Sequence, residues 1–198
     1  MKRVASRREE EPAGRATAAA CEFRLLGPGE AAILAVVASE CYAPYYSHLW
    51  RPGAMHAYLA ATYEPARVEA ELRDPNVRFE LASLAGTPAG FSKLELRRDR
   101  AALPNAAYLE RVYVSPRVLG RGVGRELVAR ACAAAAAAGR ESIWLRAMAS
   151  SPRPIASYEA AGFVACGTES FEGPGMVDAE RQMLVMAKRL ASGAPGSP

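Results

Sequence analysis

A glycine-rich junction at residues 109–124, LERVYVSPRVLGRGVG, constrains the fold of this chain more than any other segment. A β-branched run leads through a turn into the start of an apolar helix, and Gly120, Gly122 and Gly124 alternate across that turn. Glycines remove side chains where a ligand could touch the backbone, and a helix start presents unpaired N–H groups at the positive end of the helix dipole. The junction therefore predicts a site for an anion with several oxygens, such as a phosphate.

The spacing of these glycines separates three interpretations. A dinucleotide fingerprint requires G-x-G-x-x-G and an acidic residue at the end of the next strand, whereas this chain has G-x-G-x-G, and Glu141 precedes that strand. A nucleotide P-loop requires Gly-Lys-Ser/Thr, and no such tripeptide follows the glycines. A turn that only packs a helix on a strand remains open from this segment alone.

A second motif, SPRPIASYEAAGF at residues 151–163, predicts one short helix. Ser151 can cap the helix, Pro152 suits its first position, and Gly162 can end it before Phe163 opens another strand. The helix carries Tyr158 near its middle. A tyrosine is therefore expected at a fixed place after the glycine turn.

Together the two motifs resemble the GCN5-related N-acetyltransferases, in which the glycine turn holds the pyrophosphate of acetyl-CoA and a later helix presents a tyrosine before a Gly-Phe pair. The resemblance covers about residues 22–190; Leu119, Ser151 and Pro154 depart from residues common in the family. It implies an α/β (α+β) fold, a mixed and mainly antiparallel sheet of six to seven strands flanked by helices. It also implies an acyltransferase that uses acetyl-CoA as co-substrate and a primary amine as acceptor.

The same resemblance assigns roles to residues near both motifs. Tyr158 matches the tyrosine that protonates the departing thiolate, with packing against Phe163 as the alternative. Arg117, Arg121 and Arg125 crowd the turn, where they either neutralise the phosphates of coenzyme A or form a solvated helix face. The predicted cofactor-binding residues are Val112, Tyr113, Val114, Leu119, Gly120, Arg121, Gly122, Val123, Gly124, Arg125 and Ser151.

Glu110 is the candidate general base. Acetylation of an amine requires that the ammonium first lose a proton, and a carboxylate can accept it. In the predicted strand YLERVYV, Glu110 shares parity with Val112 and Val114, so its carboxylate is expected on the face on which the family that the chain resembles holds the cofactor arm. The alternative is an exposed strand carboxylate that pairs with Arg111 or Arg146.

A closer similarity is to the PaiA-type branch of the family, whose members include polyamine acetyltransferases. It rests on residues 55–74, the LERVYV strand, residues 143–163 and residues 183–190. A polyamine is therefore the leading acceptor, with another small amine, a protein or peptide amine, or a non-catalytic acetyl-CoA-binding regulator as alternatives. The acidic residues that could line a cleft for a polycation are Glu64, Glu69, Glu71, Glu172 and Asp178.

The elements predicted from periodicity and breakers complete the sheet and its helices. An aromatic segment at residues 42–50 is expected to be a loop, interrupted by Pro44, that gives two side chains at most to an acceptor pocket. A hairpin is expected around residues 86–88. The predicted helices span residues 29–40, 55–62, 64–73, 121–138 and 152–161, and the predicted strands span residues 22–26, 77–83, 89–96, 108–114, 142–146, 163–168 and 182–188.

Composition predicts one domain with two tails. The chain has 198 residues, of which 51% are hydrophobic, so a single core is the default. Residues 1–20 read as a disordered leader, residues 21–190 as the acetyltransferase domain and residues 191–198 as a flexible tail.

Charge and cysteine usage limit the partners and the cellular location that we expect. The isoelectric point is near 9.0, but the arginines alternate with acids, so no nucleic-acid partner is expected. No apolar run predicts a membrane segment, and four scattered cysteines without a C-x-x-C pair indicate a reduced, cytoplasmic protein with no metal. A monomer and a homodimer both remain open.

Overall fold

The computed structural model of the protein describes residues 21–191. The predicted leader at residues 1–20 and residues 192–198 of the predicted tail lie outside the described residues. The strands are β1 Cys21–Leu25, β2 Val77–Leu84, β3 Thr87–Glu95, β4 Ala106–Val114, β5 Ser142–Met148, β6 Val164–Ser170 and β7 Gln182–Arg189. The helices are α1 Ala31–Tyr46, α2 Ala54–Thr62, α3 Pro65–Arg73, α4 Val123–Ala137 and α5 Pro152–Ala160.

The strands form one seven-stranded sheet in the order β1-β2-β3-β4-β5-β7-β6. Strands β4 and β5 are parallel, and all other neighbouring pairs are antiparallel. The predicted mixed, mainly antiparallel sheet is confirmed.

Helices cover both faces of this sheet. On one face, α1, α2 and α3 bury apolar residues such as Leu34, Leu59 and Val68 against Phe79 and Phe91 of the sheet. On the other face, α4 packs through residues that include Leu127 and Val128, and α5 packs beside it. Strand β4 therefore lies near the centre of the sheet with helices on either side.

The first helix is longer than its sequence predicts. It continues through Pro44 to Tyr46, and a short 3₁₀ turn follows at Ser47–Leu49. Proline removes one helical hydrogen bond, but Tyr42 is buried and its ring lies 4.7 Å from that of Tyr46. Burial of these aromatic rings favours the last helical turn, so the predicted loop at residues 42–46 is wrong.

Two other boundaries shift because of backbone conformation. The hairpin between β2 and β3 turns at Ala85 and Gly86, both with positive φ, and Thr87 already pairs with Leu84. The long helix α4 begins at Val123 and not at Arg121, because Gly122 lies in the left-handed region and caps it. The predicted stop at Gly139 holds, since α4 ends at Ala137 and Gly139 has a φ of +74°.

Strand β4 contains a bulge at the centre of the sheet. Lys93 pairs with Arg111, but the next residue of β3, Leu94, pairs with Leu109, so Glu110 is the extra residue. The parallel pairing of β4 with β5 also ends at Leu109, opposite Leu145. The two strands therefore separate beyond this point, and a cleft opens at their carboxyl ends.

No helix among residues 21–191 is long and apolar enough to cross a membrane. Within the same range, no group of three or more His, Cys, Asp or Glu side chains is placed to hold a metal ion.

Candidate functional site

The glycine turn begins where β4 ends. Ser115 caps a 3₁₀ turn at Pro116–Val118. The side chains of Val118 and Val123 are buried in the same core cluster and anchor the turn to the core. The first α4 hydrogen bond runs from the Glu126 N–H to the Gly122 carbonyl at 3.0 Å. The amides of residues 123–125 precede that bond, so they are the unpaired donors of the helix start.

The three glycines of the turn serve different purposes. Gly120 and Gly122 have φ values of +76° and +82°, a conformation that favours glycine. Gly124 is already helical, but a Cβ at this position would lie 3.4 Å from Cγ2 of Val114. Two glycines therefore shape the turn, and the third lets α4 approach β4 closely.

The three arginines near the turn differ in what they contact. The guanidinium of Arg117 lies 2.7 Å from the carboxylate of Glu40 and also donates to the Pro88 carbonyl at 2.9 Å. It thereby ties α1 to the turn. The side chains of Arg121 and Arg125 make no hydrogen bond or ion pair with other described residues, so their charges are available at the turn.

A cavity of about 440 Å³ extends from the turn along the cleft. We call it the glycine-turn cavity. Six of the predicted cofactor-binding residues line it together with Tyr158, while Gly120, Arg121, Gly122, Val123 and Arg125 form the turn beside it. The six lining residues are Val112, Tyr113, Val114, Leu119, Gly124 and Ser151.

A second cavity, of about 410 Å³, adjoins the first. We call it the arginine cavity, because Arg67, Arg111 and Arg146 are among its lining residues. Aromatic and methionine side chains supply much of the remaining wall. The residues that line both cavities are Tyr46, Tyr113, Ser151, Pro154 and Tyr158.

Tyr158 lies on α5, at the boundary of the two cavities. Its ring packs edge-on against Phe163 with the ring centroids 6.0 Å apart, so the packing contact expected as an alternative is present. Burial, with a smaller contribution from Tyr46, raises the pKa of the Tyr158 hydroxyl. Tyr158 is therefore a neutral phenol with a proton to donate at physiological pH.

Ser151 occupies the N-cap position of α5, but its side chain makes no capping hydrogen bond. Pro154 at the third helical position has no N–H, which leaves the Arg153 amide as the one usual partner of a cap, and the Ser151 side chain does not bind it. The predicted side-chain cap is therefore wrong. The Ser151 side chain instead lies at the wall of both cavities.

Glu110 lines the arginine cavity and not the glycine-turn cavity. The predicted parity with Val112 and Val114 is wrong, because the bulge at Glu110 shifts the alternation of β4 by one residue. The carboxylate lies 2.7 Å from Nζ of Lys93 and 2.7 Å from Nη2 of Arg111. Pairing with Arg111, one of the two partners expected for a non-catalytic carboxylate, is therefore present.

The charge of Glu110 is stabilised by its neighbours. Burial acts to raise its pKa, but the positive charges of Arg111, Lys93 and, more weakly, Arg146 outweigh burial and lower the pKa below its usual range. Glu110 is therefore ionised at neutral pH, and it is a weak base.

A buried ion network that sequence analysis missed continues from Glu110. Nζ of Lys93 also lies 2.9 Å from Oε1 of Glu71, and the same oxygen lies 3.6 Å from Nε of Arg67. The sequence signal was available in β3, where Lys93 follows Phe91 at strand spacing and thus falls on the buried face. A lysine at a core position predicts buried acidic partners.

A model of the acetyltransferase (GNAT) family matches residues 38–163, which include the second half of α1, the bulged strand, the glycine turn and the Tyr158 helix. The chain belongs to this family. It is accordingly an acyltransferase, and acetyl-CoA is its acetyl donor.

Solved structures share the fold at low sequence identity. The PaiA N-acetyltransferase from Thermoplasma acidophilum, in complex with coenzyme A, has a TM-score of 0.69 at 18% identity, covering 85% of this chain and 98% of that one. The ribosomal-protein-S18-alanine N-acetyltransferase from Escherichia coli has a TM-score of 0.65 at 16% identity, with 90% and 99% covered. A spermidine N-acetyltransferase mutant from Vibrio cholerae has a TM-score of 0.61 at 16% identity, with 86% and 94% covered. Proteins with different acceptors thus share this fold.

Proposed function

We propose that this acetyltransferase acetylates the primary amine of a small molecule bound in the arginine cavity, with acetyl-CoA bound in the glycine-turn cavity. The observation that carries the proposal is that the two cavities meet at Tyr158. One cavity begins at a phosphate-binding turn, and the other contains a carboxylate. Two reactants placed in them would meet beside the tyrosine.

The residues of the glycine-turn cavity fit the parts of coenzyme A. The free amides of residues 123–125 suit the pyrophosphate, and Arg121 and Arg125 add positive charge. Beyond Leu109 the edge of β4 that faces β5 has no strand partner, so its backbone groups at residues 112–114 can bind the amides of the pantetheine arm. The Ser151 hydroxyl lies at the same wall.

In the reaction that we propose, the amine nitrogen bonds to the acetyl carbonyl carbon and the carbon–sulfur bond breaks. Glu110 accepts the ammonium proton, directly or through water, and passes it to solvent because it is a weak base. Tyr158 donates its hydroxyl proton to the departing sulfur, and the second proton that the nitrogen loses after attack returns to the Tyr158 phenolate through solvent. Backbone N–H groups at the β4 edge supply donors for the oxyanion that forms between these events.

The arginine cavity suits a small acceptor better than a polypeptide, because its volume falls within the range of small-molecule pockets. The polyamine hypothesis gains no support from the acidic residues proposed for it, since none of the five lines this cavity. Glu64 caps α3, Glu69 binds the Gly29 amide, Glu71 pairs with Lys93, and Asp178 pairs with Arg51. The acceptor therefore has to be inferred from the charged residues that do line the cavity.

The test is a screen for coenzyme A thiol release over small amines, amino acids, polyamines and peptides, with mass spectrometry of the products. The proposal expects an N-acetylated small molecule, and the Tyr158→Phe variant serves as the control for background hydrolysis. Acetylation of peptides alone would contradict it. Tight binding of acetyl-CoA without thiol release on any amine would instead indicate a non-catalytic regulator.

A further inference from the structure

We propose that the acceptor carries an acid group besides its amine, so that it resembles an amino acid and not a polyamine. The inference rests on the proposed function, because it concerns the acceptor of the same site. It starts from the charges of the arginine cavity. Three guanidinium groups line this cavity, whereas Glu110 is the single carboxylate among the described residues that line it.

The acids behind the wall do not reverse this balance. Glu71 is shared between Lys93 and Arg67, and Glu169 is shared between Arg100 and Arg146. Glu95, beside Glu110, pairs with Arg98. Across this network six cations face four carboxylates, so a positive excess remains. A polycation would be repelled by such a cavity, while a carboxylate, phosphinate or phosphonate would be attracted.

The three arginines differ in how strongly hydrogen bonds and ion pairs within the protein already engage their guanidinium groups. Arg146 donates to the Tyr108 hydroxyl at 2.9 Å and lies 3.5 Å from Glu169. Arg111 is buried and paired with Glu110, yet its Nη1 has no hydrogen-bond partner among the described residues. A buried donor without an acceptor is costly, so an acid group of the ligand could satisfy it.

Arg67 has the least compensated charge of the three. Its only ion pair within residues 21–191 is the 3.6 Å contact with Glu71, which is too long for a strong hydrogen bond. It lies on α3 with about half of its side chain exposed, so it can reach a ligand that enters the cavity. A planar guanidinium binds an acid group through two parallel hydrogen bonds. The structure thus assigns Arg67 as the main anchor of the acid group.

The rest of the cavity wall suits an apolar body between the two charged ends of such an acceptor. Tyr58, Phe171, Met176 and Met183 contribute to it. Aromatic and thioether groups pack well against apolar side chains of varied shape. An amino acid with an apolar or aromatic side chain would match this wall.

The test compares acids with their own carboxamides as acceptors: phenylalanine, methionine and 5-aminopentanoate, with spermidine as the polycation. A carboxamide keeps the size and removes the charge. We expect kcat/KM for at least one acid to exceed that for its amide by about tenfold or more, as for a charge-assisted hydrogen bond. Acetylation of spermidine or of the amides without any preference for an acid would overturn this inference and leave the proposed function intact.

Variants test whether Arg67 causes the preference for an acid over its carboxamide. Arg67→Gln should raise KM for the preferred acid by about tenfold and leave KM for its amide unchanged. The matched control is Arg73→Gln, because Arg73 lies on the same helix, pairs with Glu69 and does not line the cavity. An equal loss in both variants, or an unchanged acid preference in Arg67→Gln, would overturn the assignment.

A second readout covers the case in which no amine is acetylated and the proposed function fails. Calorimetry then measures binding of the same three acids and amides to the chain saturated with coenzyme A. Binding of an acid but not of its amide, lost in Arg67→Gln and retained in Arg73→Gln, supports an acid-binding site. Absence of acid binding overturns it.

Discussion

The glycine-turn cavity and the arginine cavity share a wall but are built in different ways. The first is formed by backbone amides and apolar side chains, and its shape depends on glycines within one short segment. The second depends on charged side chains from α3, β4 and β5, brought together by tertiary packing. A donor substrate that a whole family shares can be bound through the backbone, whereas an acceptor that differs between relatives is recognised by side chains.

The largest expected effect tests the role of the backbone at the turn. Gly122→Asp should reduce the affinity for acetyl-CoA by about a thousandfold or more, because a carboxylate would stand among the amides that bind the pyrophosphate. The matched variant Gly122→Asn also tolerates the left-handed conformation and lacks the charge, so it should lose much less. Isothermal titration calorimetry measures both. Equal affinities of the two variants would show that no anion binds at this turn.

The next effect concerns the tyrosine between the cavities. Tyr158→Phe keeps the ring that packs on Phe163 and removes the proton donor, so kcat should fall by about a hundredfold or more. The dissociation constant of acetyl-CoA should stay within about twofold, since binding does not need the hydroxyl. Stopped-flow thiol release with calorimetry separates the two quantities. Wild-type turnover in the folded variant would leave Tyr158 with a packing role alone.

The third effect concerns Glu110, the proposed proton acceptor in the arginine cavity. Glu110→Gln keeps the shape, and we expect kcat to fall by about ten- to a hundredfold at neutral pH, because a weak base contributes less than a strong one. Raising the pH supplies free amine without help from the enzyme, so the deficit should shrink in alkaline buffer. A pH profile parallel to that of the wild type would assign deprotonation to solvent. Glu80→Gln on β2 is the control outside both cavities, because Glu80 pairs with Arg130.

The same variant has a consequence for stability. The pKa of Glu110 is lowered in the folded state, so its ion pairs stabilise the fold above the ordinary glutamate pKa, and this contribution is lost as pH falls through the lowered value. Glu110→Gln should therefore unfold at a lower temperature than the wild type at neutral pH. The difference should vanish in strong acid. A pH-independent difference would mean that the network does not stabilise the ionised carboxylate.

The smallest expected effect distinguishes the arginines at the turn. Arg117→Gln should change the affinity for acetyl-CoA by about twofold at most and lower stability by about 1 kcal/mol or less, since its guanidinium is held by half-exposed Glu40. Arg121→Gln and Arg125→Gln should weaken binding more, and more so at low salt. Equal losses in all three variants would remove the distinction between a structural and a phosphate-facing arginine.

The sequence predicted the first cavity better than the second for a physical reason. Gly120, Gly122 and Tyr158 belong to short motifs whose local conformation can be read from neighbouring residues. The bulge at Glu110 depends on the register of β4 against β3, which no local pattern reveals, and it reversed the expected direction of the carboxylate. Arg67 reaches the cavity only because α3 packs near it.

Helix α1 is a second case in which local sequence patterns do not reveal the effect of tertiary packing. Pro44 locally favours a break, yet burial of Tyr42 and its contact with the Tyr46 ring outweigh the one hydrogen bond that proline removes. Tertiary packing decided the end of this helix. Element type was predictable along most of the described chain, while boundaries and the neighbours of polar side chains were not.

A crystal structure of the chain with coenzyme A and an acid acceptor tests most directly the claim that the two reactants occupy adjoining cavities and meet beside Tyr158. Our account predicts the pyrophosphate against the amides of residues 123–125, the sulfur beside the Tyr158 hydroxyl, and the acid group of the acceptor at Arg67. Coenzyme A in the arginine cavity, or a sulfur remote from Tyr158, would contradict it.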